Sequence, residues 1–122
     1  MEELEVLLNK ALKKADEAEV YRQSSRDTSF STVLNKIEAV DSSYTVGYSL
    51  RVIKDGRPGF SFFTKSPQFD NALKDALYSA EFAKKLNMSF PERQKHKKVR
   101  GLWSRKLLDT TESDLSEMVL KM

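Results

Sequence analysis

The 122-residue sequence has no cysteine, one histidine and one tryptophan, and only four glycines and three prolines. Without cysteine there is no disulfide, no thiol nucleophile and no thiolate metal site. A single histidine also leaves too few ligands for zinc, which takes three or four protein groups. His96 is flanked by Lys95, Lys97 and Lys98, whose charges repel a divalent cation, so it reads as a solvated loop residue. No apolar run approaches the roughly 20 residues that a membrane span requires. The N-terminus, MEELEVLLNKALKKADEAE, is charged throughout and lacks the apolar segment of a signal peptide. No membrane partner and a cytoplasmic location are therefore expected. The sequence has no G-x-S-x-G elbow, since GFSFF fails at its last position, and no Walker A or G-x-G-x-x-G pattern. Gly56 and Gly59 are read instead as turn residues.

What is present is enough for one modest core. Hydrophobic residues make up 39% of the chain and charged residues 32%, a composition that is globular and not disordered. The formal charge of +3 is unevenly placed. Arg93, Lys95, Lys97, Lys98, Arg100, Arg105 and Lys106 lie between residues 93 and 106 with no acid among them. Setting those seven aside leaves 14 basic against 18 acidic residues, so a mildly acidic body carries one basic segment. Such asymmetry can mark a polyanion-binding or acidic-partner surface.

Leu4, Leu7, Leu8, Ala11, Leu12 and Ala15 recur at helical spacing, with Glu2, Glu3 and Glu5 early and Lys13 and Lys14 late, which predicts an amphipathic helix. Residues 18–24 read as a strand, then 28–34 and 37–40 as two strands with a turn near Asn35. From Tyr44 onwards Val46, Tyr48, Leu50 and Val52 point one way, and Thr45, Gly47, Ser49 and Arg51 the other. Asp55-Gly56 is a hairpin turn; Pro58 must start its strand or sit on an edge; Phe60 and Phe62 share a face. Ser66-Pro67 resembles a helix start, with Phe69, Ala72, Leu73, Ala76, Leu77 and Ala80 as its apolar stripe and an end near Leu86. Residues 87–110 are expected to be a basic, irregular segment. Thr111 and Asp114 look like a capping pair before Leu115, Met118, Val119 and Met122. The expectation is an α+β fold: an antiparallel sheet flanked by an N-terminal and a central helix, with a C-terminal helix over 111–122.

Two sets of residues stand out as interaction candidates. Leu115, Met118, Val119 and Met122 lie at i, i+3, i+4 and i+7, a single apolar stripe suited to a partner surface. The seven cations of 93–106, with Phe90 and Trp103 nearby, could hold a polyanion, although their spacing fits no nucleic-acid motif. The plainer reading of that segment is a solvated loop with Trp103 tucked into the core. Arg51 is expected to pair with Glu38 or Asp41, and residues 16–19 to form a water-facing connection between helix and strand.

In order, the leading helix, DEAEVY, NKIE-x-VDSS, Gly47 and RVIKDGRPGF followed by a helix resemble the N-terminal region of the TldD/PmbA family, the metallopeptidases also called modulators of DNA gyrase. The anchors are residues 16–21, 35–42, Gly47 and 51–60, and VRGLW…LLDTTESDLSEMVLKM is similar to the family's linker and next helix. Two departures are Tyr48, where the family often has glycine, and Phe62-Phe63, where small residues are usual. The resemblance implies an α+β N-terminal domain over 1–110 that helps wall a cleft for unfolded peptide and pairs subunits in a homo- or heterodimer. Residues 111–122 would lead towards a missing C-terminal half. Catalysis would reside there, on an H-E-x-x-x-H helix with a cysteine ligand, so no cofactor is expected in this chain and zinc only in that half. The chain would then be either the N-terminal portion of a longer protein or a stand-alone remnant. A nucleic-acid- or acidic-partner-binding module built on residues 93–106 is the competing reading, and nucleic acid is the disfavoured partner.

Overall fold

The computed structural model describes residues 2–122. Helix α1 (Glu2–Leu12) leads into three strands, β1 (Glu17–Val33), β2 (Lys36–Lys54) and β3 (Arg57–Phe63). A 3₁₀ turn (Ser66–Gln68), helix α2 (Phe69–Phe82), the short α3 (Arg105–Leu108) and α4 (Glu112–Leu120) complete the chain. The strands form one antiparallel sheet in the order β1-β2-β3, so the fold is α+β, as the periodicity implies. Both hairpins turn on two residues of positive φ. Leu34 and Asn35 are at 50° and 62°, and Asp55 and Gly56 at 51° and 72°, the combination that type I′ turns need.

The strands are longer than their patterning suggests. Residues 18–24 and 28–34 belong to one strand, as do 37–40 and the run from Tyr44. The polar stretches 24–27 and 41–43 contain neither Gly nor Pro, and where both faces of a ribbon meet water, polarity does not interrupt pairing. The central helix ends at Phe82 and not near Leu86: Ala83 is extended, with ψ of 153°, and Leu86 donates its N–H to Gly56 O at 2.8 Å. Ser66 is not a cap. Its hydroxyl reaches Glu3, while Gln68 Oε1 accepts from the N–H groups of Thr64 and Lys65.

The chain divides into two compact units, residues 1–24 with 45–92 and residues 25–44 with 93–122. The first unit holds the core. Leu7 and Ala11 of α1, Leu50 and Val52 of β2, Phe63 of β3 and Phe69, Ala72, Leu73 and Ala76 of α2 are buried together. Gly59 is part of this packing and not of the turn. A Cβ there would lie 2.0 Å from Ala76 O and 3.0 Å from Ala80 Cβ. Only glycine lets the alanine face of α2 come so close, and Ser61 adds a buried bond from its hydroxyl to Ala72 O at 2.7 Å.

Tyr48 and Phe63, two of the departures noted above, compensate each other. They are cross-strand partners with rings stacked at 4.7 Å, and Phe69 meets Phe63 edge-on at 5.7 Å. The Tyr48 hydroxyl keeps polar partners, donating to Glu3 and accepting from Arg22 Nε, each at 3.3 Å. Both rings are thus core, as aromatic pairing favours.

Candidate functional site

In the first unit, α1 and α2 cover one sheet face, and the other is the open surface. Register places Arg51 opposite Phe60 and Ser49 opposite Phe62, with Phe60 57% and Phe62 62% exposed. The ring of Phe62 lies over Gly47, 3.1 Å from where a Cβ would stand. Arg51 pairs with Glu19, not with Glu38 or Asp41: its Nε and Nη2 donate to Glu19 Oε1 at 2.8 and 2.6 Å. The guanidinium also sits 5.2 Å from the centre of the Phe90 ring. Phe90 is held in turn by its N–H donating to Glu17 Oε2 at 2.7 Å, and Asp16 Oδ2 accepts the Asp55 N–H at 2.8 Å. Residues 16–19 are therefore a set of anchors and not a free connection. The open face thus sets the rings of Phe60 and Phe62 beside the Arg51–Glu19 ion pair.

In the second unit, Leu115 and Val119 are half-buried while Met118 and Met122 stand exposed, so the predicted stripe is only partly covered. Glu112 accepts from Ser42 Oγ at 2.9 Å, and Thr28, Ser42, Glu112 and Leu115 share a cleft of about 410 Å³. All seven cations of 93–106 are exposed. Trp103 is not tucked into a core: it is 73% exposed and, with Lys98, Arg100, Leu102 and Leu108, lines an open groove of about 540 Å³. Gly101 stands at φ 79°, a left-handed conformation that glycine adopts without strain. No residue of this unit is fully buried.

The cap of α4 is as the sequence implies. The Thr111 N–H and hydroxyl both donate to Asp114 Oδ2 at 2.9 Å, and the Asp114 N–H donates back to Thr111 Oγ1 at 3.2 Å. The backbone bond first, and the hydroxyl bond second, hold the Asp114 carboxyl below the usual Asp range. A depressed folded pKa means that the cap's contribution is complete above the unfolded value, about 3.9. It is lost as pH falls through the lower folded value. A side-chain carboxyl titration by NMR should place Asp114 below that value, and Thr111→Val should return it towards 3.9. An Asp114 midpoint at or above 3.9 in the parent chain would contradict the cap.

Residues 18–80, just over half the chain, match the family described as PmbA/TldA metallopeptidase domain 1. The chain belongs to that family. It is 28% identical over 120 residues to the uncharacterized protein MJ0231 of Methanocaldococcus jannaschii, covering 98% of this chain and 28% of the relative. Its fold is that of TldE from Thermococcus kodakarensis, with a TM-score of 0.82 at 24% identity over 98% of this chain and 28% of that one. The Thermotoga maritima protein TM0727, named for modulation of a DNA gyrase, aligns with a TM-score of 0.75 at 16% identity, over 96% and 27% of the two chains. This PmbA/TldA domain thus spans little more than a quarter of the relatives it matches.

A metallopeptidase needs a metal. Its one imidazole, His96, lies exposed among lysines. Among the described residues no three His, Asp or Glu side chains are grouped so that they could hold an ion. No helix among them is long and apolar enough to cross a membrane.

Proposed function

We propose that this chain acts as a non-catalytic N-terminal domain of a TldD/PmbA-type metallopeptidase, helping to wall the cleft that admits unfolded peptide and to pair subunits. The observation that carries this reading is the division of labour between the two units. Among the described residues, every fully buried one belongs to the first, which presents an open face with Phe60 and Phe62. The second has no core and exposes Val99, Leu102, Trp103, Leu107, Leu108, Met118 and Leu120. Seven large apolar side chains exposed in one unit support an interaction role for it. Relatives more than three times as long, by the 28% coverage, offer an obvious source of the covering surface. Zinc belongs to the remainder of such a protein, and unfolded peptide is the ligand of the assembled cleft.

The purified chain should therefore hold no stoichiometric zinc and cleave no unfolded peptide. Elemental analysis together with a fluorogenic peptide assay checks this. One zinc per chain, or cleavage that a chelator abolishes, would overturn the non-catalytic reading. The exposed cations with Trp103 support a second reading, polyanion binding. It predicts weak, salt-sensitive association, roughly 10⁻⁴–10⁻⁶ M at physiological salt.

A further inference from the structure

Near the ends of α1 and α2, the first unit holds a cleft of about 440 Å³. Strand alternation fixes its side of the sheet. Leu50 and Val52 point into the core, and Lys54, two residues on, points the same way. Gly59 and Ser61 face α2, and Arg57 faces it with them. Both cations therefore stand on the helix-covered side, away from Phe60 and Phe62. Register also sets Lys54 directly opposite Arg57, a like-charge pair that a sheet disfavours. The fold relieves only one of the two. Arg57 Nη1 donates to Ala83 O just beyond α2, which fixes the guanidinium and leaves most of its donors unused. Lys54 has no side-chain partner among the described residues, and neither has Lys14, which lines the same cleft.

The cleft is not simply basic. Asp55 and Glu81 line it too, yet neither forms an ion pair with the three cations. Five charged side chains of both signs thus share one cavity without neutralising one another. Leu77 and the buried Ala80 give it an apolar wall. The backbone of the turn is anchored on both sides: Asp16 Oδ2 accepts the Asp55 N–H, and Gly56 O accepts the Leu86 N–H, each at 2.8 Å.

We propose that this cleft binds a small zwitterion, an amino acid with an aliphatic side chain. Its carboxylate meets the free donors of Arg57 together with Lys14 and Lys54. Its ammonium meets Asp55 and Glu81, and its side chain lies on Leu77 and Ala80. A purely anionic ligand would face two uncompensated acids, and a purely cationic one three uncompensated bases. The volume lies within the range of small-molecule pockets, which begins at about 300 Å³. The site is independent of the domain role proposed above.

Titration of the whole chain with L-leucine, followed through amide shifts in NMR spectra, tests this. The probes 4-methylpentanoate and isopentylamine lack the ammonium and the carboxylate respectively. Leucine is expected to give saturable shifts at residues 54–57 and 77–83, with a Kd of about 1 mM. Each probe should bind roughly tenfold more weakly or worse, its charge-assisted bonds being lost. Lys54→Ala should weaken leucine roughly tenfold. Glu81→Gln should weaken leucine and leave 4-methylpentanoate unchanged. Both side chains are exposed, so the amide exchange of α2 should not move in either variant. Equal binding of leucine and either probe would overturn the zwitterion. Shifts that stay linear up to the solubility of leucine, or saturable shifts that survive both substitutions, would overturn the site.

Discussion

Gly59→Ala is expected to destabilise the chain by about 3 kcal/mol or more, at the upper end of overpacking costs. The added methyl would stand 2.0 Å from the Ala76 carbonyl oxygen. That atom is main chain in the middle of α2, so no side chain can swing aside. To accept the methyl, α2 must move off β3 as a body. The shift would loosen Ala72, Ala76 and Ala80 together and lengthen the buried Ser61 bond to Ala72. Gly47→Ala is the control. Its methyl meets only the exposed ring of Phe62 at 3.1 Å, which can rotate into water, and the loss should stay below about 1 kcal/mol. Denaturant unfolding of the two variants separates the cases; equal midpoints would show that α2 packs differently from this description.

Helices α1, α2 and α4 are legible in the sequence because helix signals are local, whereas the four-residue α3, inside the segment expected to be irregular, is too short to show a period. The stripe from Phe69 to Ala80 places its buried side chains at one spacing, and the Thr111–Asp114 box lies within one turn. The Asp55-Gly56 turn is equally local. The features that the sequence does not show depend on partners distant along the chain. Gly59 is fixed by Ala76 on another element, and Arg51 chose Glu19 across the sheet over the nearer Glu38. The breaks expected at 24–27 and 41–43 do not occur, because alternation is a signal of one buried face and that ribbon has none. Hydrophobicity alone sends Trp103 to a core, yet the chain around it brings no layer to cover it. As for the candidate site, the charge of 93–106 and the stripe of α4 were readable as exposed surfaces. The aromatic open face was half readable: Phe60 and Phe62 were seen to share a side, but only the register with Ser49 and Arg51 shows that it faces away from the helices.

The contrast between the two units should appear as a very large difference in local stability. Amides of α2 and of the paired stretches of β2 and β3 close over Leu50, Val52, Phe63 and Phe69, all buried. They should exchange only through global opening, about 5–15 kcal/mol. Helix α4 has nine residues, a length at which an isolated helix is marginal in water. Its cap contributes, but no residue of α4 is fully buried. Its amides should therefore open at about 0–2 kcal/mol, with exchange faster than the core by roughly two orders of magnitude or more.

Amide exchange of the isolated chain, read residue by residue, is thus the most direct test of the claim that the second unit is built to be covered by other polypeptide. The account predicts strong protection across α2 and β2–β3, and weak protection across α4 and residues 93–108. A monomeric chain in which the amides of 112–120 are as slow as those of α2 would show that this helix already has its packing partner, and would contradict the account.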